Sequence, residues 1–91
     1  MSYIVRFTPL VERHVKKWKK SNPALHKKLI KIVQDIAAHP RTGIGHPEPL
    51  VKGNGVRYSR RVSAHDRIIY DIYDQVVTVL VIQVGGHYGD K

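Results

Sequence analysis

Three strand-like runs crowd the second half of the chain: VRYSRRV (56–62), RIIYDIY (67–73) and VVTVLVIQV (76–84). They are rich in β-branched and aromatic residues, and the segments between them, SAHD and DQ, are short enough to be hairpin turns. Strands joined this way are neighbours in a meander. The last run is almost wholly apolar, as expected for a central strand covered on a face.

The first half is written in a different period. YIVRF (3–7) reads as a short strand. Thr8 and Pro9 then supply an N-cap and a first-turn proline, and Val11, Val15 and Trp18 recur at i, i+4 and i+7. This spacing predicts a helix of about three turns through Lys20. SNP (21–23) ends it and opens another, with Ser21 or Asn22 as N-cap. Leu25, Leu29, Ile32, Val33 and Ile36 form the second helix's apolar stripe, and His39 before Pro40 is its stop. Residues 40–55, PRTGIGHPEPLVKGNG, hold four glycines and three prolines and read as an irregular loop. The predicted order is β-α-α-β-β-β: a helical hairpin packed on a mostly antiparallel twisted sheet, α+β in class, as a single domain over 1–91.

Sixteen Lys+Arg against seven Asp+Glu give a net charge of +9, a field suited to a polyanion. Nucleic acid leads, although an acidic protein partner satisfies the same field. Arg13, Lys16, Lys17, Lys19, Lys20, Lys27, Lys28 and Lys31 are expected on the outer helix faces, either as plain solvated charge or as a surface for a phosphate backbone. The chain has no cysteine, which removes disulfides, Cys-based zinc sites and thiol nucleophiles. No apolar run approaches the ~20 residues of a membrane span, and the N-terminus has no signal-peptide pattern. A soluble, cytoplasmic protein is expected.

One of only two glutamates, Glu48, stands between Pro47 and Pro49 in GHPEPL. The prolines restrict the backbone on both sides of the carboxylate and disfavour helix there. Arg57, Ser59 and Arg61 alternate along one strand, Arg67 opens the next, and His87 and Tyr88 follow the last. In a meander these groups can converge on one end or face of the sheet. The set suits RNA cleavage by attack of a 2′-hydroxyl on its own phosphate, which needs a base, an acid and cations for the phosphoryl oxygens. Glu48 is expected to take the proton, His87 to return one to the leaving oxygen, and Arg61 and Arg67 to clamp the phosphate. No metal or cofactor is needed. Each residue also has an ordinary reading: an ion pair for Glu48, edge-blunting charges for Arg57, Arg60 and Arg61, a solvated or packed histidine for His87. His14, His26, His39, His46 and His65 lack metal-ligand spacing, and Asp66, Asp71 and Asp74 are too scattered for a two-metal nuclease. No phosphate-binding GxxxxGK[ST] loop occurs.

GHPEPL, SRRVSAHDRIIY and the terminal GHY together resemble the YoeB/Txe-type toxins of bacterial type II toxin–antitoxin systems, within the RelE/ParE superfamily, over residues 3–88. The resemblance implies a ribosome-dependent mRNA endonuclease that cuts in the A site, stops translation and is neutralised by a cognate antitoxin, expected to be acidic and partly disordered. It places the catalytic glutamate on Glu48, the phosphate-contacting arginines on Arg61 and Arg67, and the C-terminal histidine and aromatic on His87 and Tyr88. Lys52, Arg57, Arg60, Lys16, Lys19, Lys20, Lys27 and Lys28 are the expected RNA contacts. Where the family commonly has a lysine directly after PEPL this chain has Val51 and then Lys52, and Gly85 replaces a frequent basic residue. Toxins of the family also form homodimers. Two other readings compete: a ParE-like toxin that inhibits gyrase, for which a Glu–His pair has no use, and a non-catalytic nucleic-acid-binding module.

Overall fold

The computed structural model describes residues 2–51 and 56–86. Strand β1 (Ile4–Phe7) leads into helix α1 (Pro9–Ser21) and helix α2 (Pro23–Ala38). The two-residue β2 (Glu48–Pro49), then β3 (Arg57–Arg61), β4 (Arg67–Tyr73) and β5 (Thr78–Gly85) complete the sheet. This is the expected α+β architecture, with one element the sequence did not announce: β2, formed inside the PEPL segment read as irregular loop.

The helix boundaries follow from their caps. Val11 N–H donates to Thr8 Oγ1 at 3.3 Å, with Pro9 in the first turn. Asn22 serves both helices: its own N–H closes α1 on Trp18 O at 2.8 Å, while its Oδ1 accepts from Leu25 N–H at 3.3 Å to open α2. Ser21 stays inside α1, so Asn22 is the cap of the two candidates.

The sheet runs β1-β5-β4-β3-β2, with β1 parallel to β5 and every other pair antiparallel. The meander therefore forms as expected, and the first strand adds to its far side beside the last. Val11, Val15, Leu29, Ile32 and Ile36 of the helices pack with Ile68, Tyr70, Ile72, Val79, Val81 and Val84 of β4 and β5 in one buried cluster. All of this core lies on one face of the sheet. On the face away from the helices, the open face, cross-strand neighbours fall into rows, and one of them, Glu48–Ser59–Ile69–Gln83, crosses four strands, with Ser59 and Ile69 buried in its middle. The next is Arg61–Arg67–Gly85.

A bulge shapes the second half of β5. Tyr70 pairs with Val81 but Ile69 pairs with Gln83, so Ile82 is the extra residue. Without it Gln83 would keep step with Val79 and Val81 and point into the core. The bulge turns it to the open face.

Candidate active site

β2 exists because Glu48 and Pro49 pair with Ser59 and Tyr58, and Leu50 N–H continues the ladder to Arg57 O at 2.8 Å. Proline removes a donor, which suits Pro49 to an edge strand. Tyr58 packs toward the helices, its ring stacked on Tyr70 at 6.2 Å, so Ser59 and its partner Glu48 share the opposite, open face.

On that face the Glu48 carboxylate approaches Arg67, with Oε1 and Nη1 3.7 Å apart. Glu48 is 64% exposed and Arg67 37%, so the pair is open to solvent and to a ligand. Arg61 lies directly across from Arg67 and is exposed, with no ion-pair partner among the described residues. Like charges directly opposite one another are unfavourable. Among the described residues, two facing arginines stand beside a single carboxylate. Buried Ser59 and half-buried Gln83 are the other polar groups in the Glu48 row. Gln83 was missed by sequence reasoning; its signal is that it alone is strongly polar in the run VLVIQV. His87 and Tyr88, which follow Gly85 and Gly86, lie outside the described residues, as does Lys52.

Two expected RNA contacts change character. Arg60 was grouped with surface charges, but its side chain is 0% exposed. In a strand the two arginines of SRR must face opposite sides, so while Arg61 reaches the open face Arg60 enters the core. There it donates from Nη1 to Asp35 Oδ2 at 2.5 Å and from Nε to Tyr70 Oη at 2.9 Å. Burial raises the Asp35 carboxyl, but the hydrogen bonds from Arg60 and Ile44 N–H and the Arg60 charge outweigh it, so the group is held below the ordinary carboxylate range. Burial pushes the Tyr70 hydroxyl up, against the pull of Arg60. Arg57 is on the open side but is bound bidentately to Asp71 across β3 and β4, at 2.7 and 3.0 Å. Its geometry is that of a sheet tie.

Lys16, Lys19, Lys20, Lys27 and Lys28 are all exposed, as expected. They belong to the helical layer, on the other side of the sheet from Glu48, so the fold does not bring them into the site. Among the described residues no group of three potential metal ligands occurs, and no helix is long and apolar enough to cross a membrane. A groove of about 620 Å³ runs between α1 and the end of β5, lined by His14, Trp18, Asp66, Gln83 and Gly85 among others, so it reaches the β5 members of both rows.

Residues 7–88 match the family described as YoeB-like toxin of bacterial type II toxin–antitoxin systems. The chain belongs to this family. A YoeB toxin of Synechocystis sp. is 31% identical over 84 residues, covering 92% of this chain and 95% of its own. A YoeB/ParE toxin from Agrobacterium tumefaciens superposes with a TM-score of 0.85 at 25% identity, over 93% of this chain and 99% of that one. The toxin in a YoeB–YefM complex from Staphylococcus aureus gives 0.80 at 25% identity, over 94% and 98%. The expected α+β fold is thus that of YoeB and RelE toxins, and the protein is a toxin of a type II toxin–antitoxin system.

Proposed function

We propose that this toxin is a ribosome-dependent endoribonuclease that cuts mRNA in the A site. The observation that carries the reading is the Glu48 carboxylate at 3.7 Å from Arg67, beside Arg61, which has no ion-pair partner among the described residues. Glu48 takes the 2′-hydroxyl proton, the 2′-oxygen attacks the adjacent phosphorus, and the bond from phosphorus to the 5′-oxygen breaks. Arg61 and Arg67 stabilise the negative charge that grows on the phosphoryl oxygens. The proton that the leaving 5′-oxygen requires comes from His87, with Tyr88 as the alternative donor.

Every step uses side chains alone. The net charge of +9 and the exposed helix lysines supply the non-specific attraction that brings the toxin to ribosomal RNA. The same charge selects an acidic antitoxin as its neutralising partner. Gyrase inhibition gives the Glu48–Arg67–Arg61 arrangement no task.

The test is to express wild type and Glu48→Gln and map mRNA 5′ ends on stalled ribosomes. Wild type should leave codon-positioned cuts, and Glu48→Gln should lose them by about 100-fold or more, the scale of a lost general base. Equal cutting by both would remove Glu48 from the role. Intact message with supercoiling defects would point to gyrase instead.

A further inference from the structure

The loop that delivers Glu48 does not hold its shape by local preference. Gly43 and Gly45 have φ of 117° and 82°, and His46, directly before Pro47, stands at 54°. A histidine in the left-handed region ahead of a proline is strained. A Cβ on Gly43 would run into the Asp35 carboxylate, and one on Gly45 would come within 2.7 Å of Arg61 O. Such a path persists only when its surroundings impose it.

Arg60 imposes it from inside. The guanidinium has five N–H donors in a rigid fork, and all five are used. Nη1 donates to Asp35 Oδ2 at 2.5 Å and Ile44 O at 3.1 Å, Nη2 to Thr42 O at 2.7 Å and to His39 O, and Nε to Tyr70 Oη at 2.9 Å. Tyr70 Oη in turn donates to Pro40 O at 2.7 Å, and Ile44 N–H donates to Asp35 Oδ2 at 3.1 Å. Backbone groups of residues 39, 40, 42 and 44 are therefore tied to one buried cation and its two partners. The neighbours of Arg60 finish the work: Arg61 N–H donates to Gly45 O at 2.7 Å, and Ser59 pairs with Glu48. Three consecutive β3 residues thus fix one loop, one from the core and two along the strand edge.

Packing alone does not call for such a residue. Burying an ion pair is costly, and a well-fitted apolar side chain often serves stability as well or better. An apolar residue, however, could not hold three loop positions by hydrogen bonds. We infer that Arg60 is the positioning residue of the site: with Asp35 and Tyr70 it sets where the loop places the Glu48 carboxylate against Arg61 and Arg67. The inference rests on Glu48 acting as the base, and it makes SRR a divided pair in which Arg61 meets the phosphate while Arg60 aims the carboxylate.

Two variants test it without emptying the core. Tyr70→Phe removes the hydroxyl shared by Arg60 Nε and Pro40 O, and Asp35→Asn keeps the shape but removes the charge. Both leave Glu48, Arg61, Arg67 and the exposed lysines in place. In single-turnover cleavage on programmed ribosomes, each should lower the saturating rate by about 10- to 100-fold, the cost of a small misplacement. The half-saturating ribosome concentration should stay within about twofold, because binding groups are untouched. Neither should lower the residual rate further in a Glu48→Gln background, since a carboxylate that is gone cannot be misplaced. Wild-type saturating rates in both variants overturn the inference, as does an equal proportional loss with and without Glu48. Should one variant melt below assay temperature, the other decides. A Glu48→Gln toxin that cuts like wild type is a separate result, which overturns the catalytic reading itself.

Discussion

Arg61 and Arg67 face each other across β3 and β4, with the Glu48 carboxylate nearby, so the arrangement that suits phosphate is also one that weakens the sheet. This separates activity from stability in a single residue. Arg61→Ala should cut the saturating cleavage rate by about 100- to 1,000-fold, the scale of losing one preorganised donor to the transition state. Its melting temperature should not fall, and a fall alongside the rate would show Arg61 to be structural. The facing of Arg61 and Arg67 was legible in the sequence because strand alternation and short turns determine which residues become neighbours, whereas Glu48 joined them only on its chemistry and the family resemblance. Arg60 was misread for want of the same rule applied one position along. A residue between two open-face positions must enter the core, and Asp35, beside the apolar stripe between Ile32 and Ile36, was the visible sign of a counter-charge at the core's margin.

At the scale of elements, both helices were legible because their caps and prolines are local signals, and the meander because its turns are short. β2 was not. Two residues flanked by prolines have no periodicity to read, and they pair only because β3 offers them a free edge. The bulge at Ile82 was equally hidden, being a matter of register between strands that no single run displays. The turn between β4 and β5 adds a cost that the sequence does not show. Residues Asp74–Val76 form a 3-10 turn, and Val77 leaves it at φ 47°, ψ 48°, a left-handed conformation poorly suited to a β-branched residue. Val77→Asn should therefore stabilise the protein by about 1 kcal/mol, raising the thermal midpoint by roughly 4–8 °C. Calorimetry checks this, and an unchanged or lower midpoint would mean that the Val77 side chain contributes more by packing than its backbone loses.

For the molecule as a whole, one polar tie spans distant parts of the chain. Asp74 accepts from Tyr3 Oη at 2.6 Å and from both Arg41 amino groups at 3.1 and 2.7 Å, joining the N-terminal segment, the loop after α2 and the β4–β5 turn. These bonds, Arg41's first and Tyr3's second, lower the Asp74 carboxyl to about 2. A carboxyl depressed in the folded state stabilises above its unfolded value and loses that contribution as pH falls through its folded one. The midpoint difference between wild type and Asp74→Asn should thus be constant near neutrality and shrink between about pH 4 and pH 2. A difference that holds constant through that range would place the tie's effect elsewhere. The parallel pairing of β1 with β5 has a consequence for the order of synthesis. Ile4 finds its partner only when Thr78 has been made, and β5 is the strand that separates β1 from β4. A nascent chain that has reached Tyr73 already contains Glu48, Arg61 and Arg67, yet its helices have only part of a sheet to cover and its first strand has nothing to join. Glu48, Arg61 and Arg67 are therefore translated before the fold that aims them can close.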